Sequence, residues 1–344
     1  MNISKYLSNK ITHMSVVFSI WIIFIHYSSS CDMYDNTFFV HFADYIGQGI
    51  TRNAVPLFFF ISGVLAFWKV NSVEKLIQGA KKRLITVGVC YILWNTIATI
   101  FFCGLSIIKG TFTEKIDCRF ILDCLLLHKY NGPLWYLLFL LIYSICAPLV
   151  YQIIKRKIFF IILVPVFCII NLSGKSSILA WFLFYLIGAG IALHYKEILN
   201  KPLQKKYMVM VIICFIILQL YRIAIFNHFL SYVAARKTLV YKLYELISPL
   251  LLWFSVDFIR FDKIKIFQFE KFTFFVYAIH YMIVAIVCSE SFRNVLGGGL
   301  ANNIYLAVIN FLIMPYLIFI LCTGVGMIIS KLSPRVYSIL SGGR

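Results

Sequence analysis

Ten apolar runs, each close to the length that crosses the hydrocarbon of a bilayer, divide this chain from one end to the other. They lie at roughly 13–30, 53–69, 84–104, 133–151, 157–172, 177–195, 207–226, 240–258, 272–290 and 303–330. About 20 helical residues span about 30 Å of hydrocarbon. No water reaches backbone N–H and C=O groups there, so a spanning segment is a helix or a strand of a closed barrel. A barrel would show strict alternation of apolar and polar residues, and these runs do not alternate. With a hydrophobic fraction of 62% and a mean hydropathy of +0.90, an ordinary soluble domain is excluded. The expected fold is all-α: a polytopic integral membrane protein of about ten transmembrane helices. Residues 1–344 form one membrane-embedded domain, since no linker is long enough for a second. No small-residue cleavage site follows the first run, which is therefore expected to stay as the first span. The last run is long and contains Pro315, which predicts a kink.

The formal net charge of +19 is spread over short loops, so it reports orientation and not nucleic-acid binding. Of 32 basic residues, 21 fall in alternate loops or tails, from Lys5 and Lys10 to Lys331, Arg335 and Arg344. Asp32, Asp35, Asp44, Glu114, Asp117 and Asp123 fall in the first and third loops, on the other side. Both termini are therefore expected in the cytoplasm, and loop 105–132 outside. That loop holds Cys118 and Cys124, which can pair if it faces an oxidising compartment. Seven of the ten cysteines lie in apolar runs as packing residues, and no His/Cys spacing suits a metal.

Within the first span, SVVFSIWIIFIHYSSS (Ser15 to Ser30) carries one ionisable residue, His26, deep in apolar surroundings. At about 100° per residue, Thr12, Ser15, Ser19 and Ser30 fall within about 40° of His26 on a helical wheel. Ile22 and Ile23 fill the stripe between Ser19 and His26. Such a face turns towards other helices or a water-filled cavity, because ionisable groups are costly against lipid. A structural histidine bonded to a neighbouring helix fits this stretch as well as a functional one.

Further along, TRNAVPLFFFISGVLAF sets Arg52 at the outer end of the second span, with Ser62 and Gly63 interrupting the apolar run. Arg52 is a permanent cation; an interfacial anchor reaching lipid phosphate is its plainer account. Lys81, Lys82 and Arg83 cluster where the third span begins, either as a topology signal or to hold the phosphates of a nucleotide-type cofactor. Trp135 and Tyr136 stand at the outer start of span four, where aromatic belts lie. Span six holds the small patch Gly188-Ala189-Gly190, suited to close helix packing, and span nine places His280 mid-membrane.

Taken in order along the chain, these features resemble the acyltransferase-3 membrane family, which includes bacterial O-acyltransferases of cell-surface glycans. VPLFFFISG (Val55 to Gly63) is close to that family's Pro-Leu-Phe-Phe-x-x-Ser-Gly signature, and His26 is similar to its essential histidine. KKRLITVGVCYILWN, LWYL, WFLFYLIGAG and FFVYAIHY resemble its weaker motifs. One departure stands out: Ser15 occupies the position, eleven residues before the histidine, where the family usually has an arginine. The resemblance implies a multi-pass protein of the bacterial inner membrane that takes an acyl group from cytoplasmic acyl-CoA. It passes that group, acetyl by default, to a hydroxyl of a surface polysaccharide, lipopolysaccharide or lipid-linked glycan.

Acyl transfer to a sugar hydroxyl needs a base near neutrality, which an imidazole with an unperturbed pKa of about 6.5 supplies. His26 is the candidate catalytic residue, as general base or as acyl carrier. Arg52, Trp135 and Ser62 are candidate acceptor-side or oxyanion groups, with His280 as support. Lys82 and Arg83, and Ser15 by its position, are candidate donor-binding residues; acyl-CoA is a substrate and no bound cofactor or metal is expected. The alternative is a transporter or flippase of a lipid-linked saccharide, with His26 and Arg52 lining the path. The VPLFFFISG signature, and the lack of paired Gly/Pro-broken spans, favour the transferase.

Overall fold

The structure is a computed structural model; it describes residues 2–28, 37–173, 177–228, 238–261, 263–264, 268–289 and 303–343. Ser30, at the end of the polar stripe, lies outside them, as do Asp32, Asp35 and Arg344. Among the described residues there is no strand. The helices are α1 (Lys5–Ser28), α2 (Thr37–Asp44), α3 (Ala54–Phe67), α4 (Val73–Ile108), α5 (Cys118–Leu126), α6 (Trp135–Ile154) and α7 (Lys157–Ser173). They continue with α8 (Ser177–His194), α9 (Lys196–Asn200), α10 (Lys205–His228), α11 (Leu239–Ser255), α12 (Thr273–Val287), α13 (Ile304–Leu332) and α14 (Pro334–Leu340). Among the described residues, eight helical stretches are long and apolar enough to cross a membrane, and Lys157–Ser173 and Ile178–His194 are two shorter apolar helices. Their outward faces carry Ile100, Ile169, Ile217 and Leu220, all exposed, as lipid-facing surfaces do. The protein is a multi-pass helical membrane protein.

Helices α3 and α8 cross at backbone contact, and glycine makes it possible. A methyl group at Gly63 would run into the Tyr185 carbonyl oxygen, and one at Gly188 into the Phe60 carbonyl oxygen. Without hydrophobic drive between helices in lipid, backbone contact of this kind supplies the dispersion that holds spans together. Phe60 and Tyr185 are wholly buried at the crossing. The Ser62-Gly63 interruption and the Gly188-Ala189-Gly190 patch are thus two halves of one contact.

A buried ion pair fixes the start of α1. Lys10, only 2% exposed, pairs with Asp257 and donates to the Trp253 carbonyl at 2.6 Å. Its ammonium also sits 4.1 Å from the Trp253 ring centroid. Asp257 also accepts from the Tyr6 hydroxyl at 2.7 Å and from the Leu203 N–H at 2.8 Å, so both carboxylate oxygens are bonded. Lys10 is therefore an internal cation rather than a loop charge. At the same end, α14 folds back on α4, with Trp94 Nε1 donating to the Leu340 carbonyl at 2.9 Å.

Two local expectations change. Residues 37–53 are not a loop: α2 runs through a π turn (Tyr45–Gly49) and a 3₁₀ turn (Ile50–Asn53) into α3. Gly47 lies against Ser28 and Gly49 against Arg222, so glycine lets this segment press onto α1 and α10. Cys118 and Cys124 are free thiols on α5, one exposed and one buried. Six residues of helix rise about 9 Å, too far for a disulfide. Pro315, where a kink is expected, lies inside the single helix α13.

Candidate active site

On α1, the polar stripe turns inward and lines two successive chambers. Thr12, Ser15 and Ser19 line a cavity of about 360 Å³, and Ile22, Ile25 and His26 line a second of about 130 Å³. Phe58, Tyr136 and Tyr277 border both, so the two chambers lie next to each other across an aromatic collar. Ser15 and Ser19 return their hydroxyls to helix carbonyls, Ser15 to Ile11 and Ser19 to Ser15, each at 2.8 Å. Their oxygen lone pairs remain towards the cavity as acceptors.

In the smaller chamber, the His26 ring lies 5.2 Å from His280 and 5.4 Å from Tyr281, centroid to centroid. His280 is wholly buried on α12 and does not line the chamber; it backs His26 from behind. Its Nδ1 bonds the Tyr277 carbonyl at 2.7 Å. A carbonyl only accepts, so Nδ1 carries the proton, and in the neutral ring Nε2 is an acceptor. That Nε2 is buried with no hydrogen-bond partner among the described residues.

The wall facing His26 is aromatic, formed by Trp135 and Tyr136 of α6, Trp181 of α8, Phe58 of α3 and Tyr277. The turn before α6 is pinned to α12, because Tyr277 donates to the Pro133 carbonyl and Asn131 to the Ala278 carbonyl at 3.3 Å. Arg52 completes the chamber. Gln48 holds its turn against α1 by donating to the Ile25 carbonyl at 3.0 Å and to Ser28 Oγ at 2.9 Å. The Arg52 guanidinium pairs with Glu245 of α11 at 3.5 Å, in a side lobe that shares Arg52 and Trp181 with the chamber. Behind Gly49, buried Arg222 pairs with Asp44 at 3.4 Å beneath the rings of Tyr45 and Tyr244. Each guanidinium here stands beside a carboxylate, so the His26 end is rich in donors and acceptors while its ion pairs balance in charge.

At the other end of the path, Arg83 lines the larger cavity and donates to Ser144 Oγ at 3.0 Å. Ser62 meets the Tyr136 hydroxyl at 3.2 Å, which places it at the collar and not beside Arg52. Lys82 is exposed and lines neither cavity; the next residue on a helix points about 100° away. The fold thus gathers Ser15, Ser62 and Arg83 round one chamber and His26, Arg52 and Trp135 round the next, with His280 behind. Among the described residues, no three His, Cys, Asp or Glu side chains converge as metal ligands.

Four groups of this site escaped the sequence reading: Glu245, Trp181, Tyr277 and Glu270. Glu245 carried a usable signal, since a carboxylate inside an apolar run marks a paired or functional position. Trp181 and Tyr277 were hidden among many aromatics of the same spans.

In this helical bundle an imidazole and a guanidinium line one small interior chamber. The chain belongs to the acyltransferase-3 family: that family's model, described as an acyltransferase domain, matches residues 10–332, nearly the whole chain. It is therefore a membrane acyltransferase. No curated protein and no solved structure matches it.

Proposed function

We propose that this membrane O-acyltransferase moves an acyl group from cytoplasmic acyl-CoA to a hydroxyl of a surface or lipid-linked glycan at the inner membrane of a bacterium. The observation that carries this reading is the adjacency of two chambers along one stripe of α1, bordered in common by Phe58, Tyr136 and Tyr277. A thioester arm lying in the larger chamber presents its acyl carbon through the collar to His26. The acceptor reaches the same atom past Arg52 and Trp181. CoA then never has to cross the membrane.

The chemistry follows from the chamber. An acceptor hydroxyl beside His26 loses its proton to the imidazole as its oxygen attacks the thioester carbonyl. Arg52 and the Tyr136 hydroxyl are the donors able to meet the charge that gathers on the carbonyl oxygen. Collapse of the tetrahedral intermediate breaks the carbon–sulfur bond, and the imidazolium returns its proton to the departing thiolate. In the carrier route the imidazole itself attacks, and the sugar hydroxyl takes the acyl group in a second step. Trp135 and Trp181 offer apolar faces to a sugar ring, while the Arg52–Glu245 pair offers donors and acceptors to its hydroxyls.

The basic loops put the Arg83 end, and both termini, in the cytoplasm. Single cysteines at exposed Gln204 and Lys115 test this: an impermeant maleimide is expected to label Lys115→Cys alone in intact cells, and labelling of Gln204→Cys reverses the orientation. Donor use is tested by saturable binding of radiolabelled acetyl-CoA to purified protein in nanodiscs. Arg83→Ala is expected to weaken it about tenfold, in the range for hydrogen bonds to charged groups. Lys82→Ala is expected to change it little. Wild-type protein that is folded and binds no CoA thioester contradicts the donor assignment.

A further inference from the structure

Glu270 is a carboxylate that neither the fold nor the acyl-transfer chemistry uses. It sits in the 3₁₀ turn Gln268–Phe272 that leads into α12, and it lines the larger chamber with Ser15, Ser19, Ser62 and Arg83. Its Oε2 is buried and accepts no hydrogen bond among the described residues. The Thr273 hydroxyl, on the same chamber wall, is spent on the Glu270 backbone carbonyl at 3.0 Å. Arg83 shares the chamber but donates to Ser144 Oγ. Nearly every other polar group on this wall is returned to the protein: Ser15, Ser19 and Ser62 all have partners. A buried carboxylate oxygen without a donor is costly, and a ligand that brings an N–H removes that cost.

Resting on the acyl-CoA reading above, we infer that Glu270 is a donor-specificity residue, with two consequences. It accepts an amide N–H from the pantetheine arm, and its fixed negative charge restricts the enzyme to thioesters of uncharged acyl groups. The arm suits this chamber because it carries amide N–H groups for Glu270 and amide carbonyls for Arg83. Phosphates do not suit it, since they would place like charges beside Glu270; they stay outside the chamber. An acyl group ending in its own carboxylate would have to thread past Glu270 to reach His26. In a chamber walled by Phe58, Ile61, Leu65 and Phe274, that repulsion is poorly screened.

The test measures binding of acetyl-CoA, succinyl-CoA and S-acetyl-phosphopantetheine to full-length protein in nanodiscs, for wild type, Glu270→Gln and Glu270→Asp. Wild type is expected to prefer acetyl-CoA to succinyl-CoA. Glu270→Gln is expected to weaken acetyl-CoA about tenfold, as for loss of a charge-assisted hydrogen bond. It should also narrow the acetyl-to-succinyl preference at least fivefold. The loss should be equal for acetyl-CoA and S-acetyl-phosphopantetheine, because the contact is to the arm and not to the nucleotide. Glu270→Asp keeps the charge, so it should keep the preference while losing affinity, which holds even if Glu270→Gln folds poorly. An unchanged preference in folded Glu270→Gln, or tighter acetyl-CoA binding, overturns the role of Glu270 and leaves the donor assignment standing. Folded wild type that binds neither thioester overturns both.

Discussion

His26 and His280 lie with ring centroids 5.2 Å apart, one lining the reaction chamber on α1 and the other wholly buried behind it on α12. His280 is bonded through Nδ1 to the Tyr277 carbonyl, which fixes its ring and leaves Nε2 as its remaining polar atom. On the acyl-transfer reading, we propose that His280 orients the ring in front of it without touching the substrate, as a positioning residue. His280→Ala is expected to lower kcat about tenfold or more, within the range of positioned acid–base catalysis, with donor KM unchanged. His280→Gln can return an acceptor oxygen near the Nε2 position and is expected to recover part of that loss. Equal kcat for the two variants removes the positioning role.

The glycine crossing of α3 and α8 holds Arg52 and Trp181 to the same chamber. A side chain at Gly188 must displace backbone, the Phe60 carbonyl, and not a flexible side chain. Gly188→Val is expected to destabilise the fold by about 1–3 kcal/mol, the usual cost of overpacking, and to lower the thermal midpoint in detergent. Gly104, with nothing near its Cβ position, is the control: Gly104→Ala is expected to leave the midpoint unchanged or slightly raised. A Gly188→Val midpoint equal to wild type contradicts the close approach.

Asp257 gathers Lys10, Tyr6 and Leu203, so removing the lysine strands a buried carboxylate. Lys10→Met is expected to cost about 3–5 kcal/mol, the range for breaking a buried pair from one side. Lys10→Met with Asp257→Asn is expected to regain a substantial part, because the amide oxygen still accepts while the stranded charge is gone. The measurement is thermal unfolding of the two variants in the same detergent. A double variant less stable than Lys10→Met alone contradicts the account of the pair.

Much of this arrangement was legible in the sequence because it depends on helical period. The stripe of Thr12, Ser15, Ser19 and His26 needs only about 100° per residue to appear, and it is the face that lines the path. The small residues round Gly63 and Gly188 likewise announced close approach, though not that they met each other. What stayed hidden depends on the third dimension. Residues 37–53 carry acids and glycines that read as a loop, yet Asp44 finds Arg222 and the glycines let the backbone pack. Lys82 and Arg83 are neighbours in sequence but face different surroundings, which no count of cationic residues distinguishes. Glu270 stood among loop charges, and only the position of its side chain shows that it belongs to a chamber.

Acyl transfer at His26 is the centre of the account, and glycan O-acylation in cells reads it directly. In a deletion strain complemented with His26→Ala at matched expression, mass spectrometry of the surface glycan is expected to show O-acylation reduced by about 10²–10⁴-fold, down to background. Acetyl-CoA binding by the purified variant should remain near wild type, since His26 lies beyond the collar from the donor chamber. Full O-acylation by His26→Ala contradicts the account and removes His26 from the reaction.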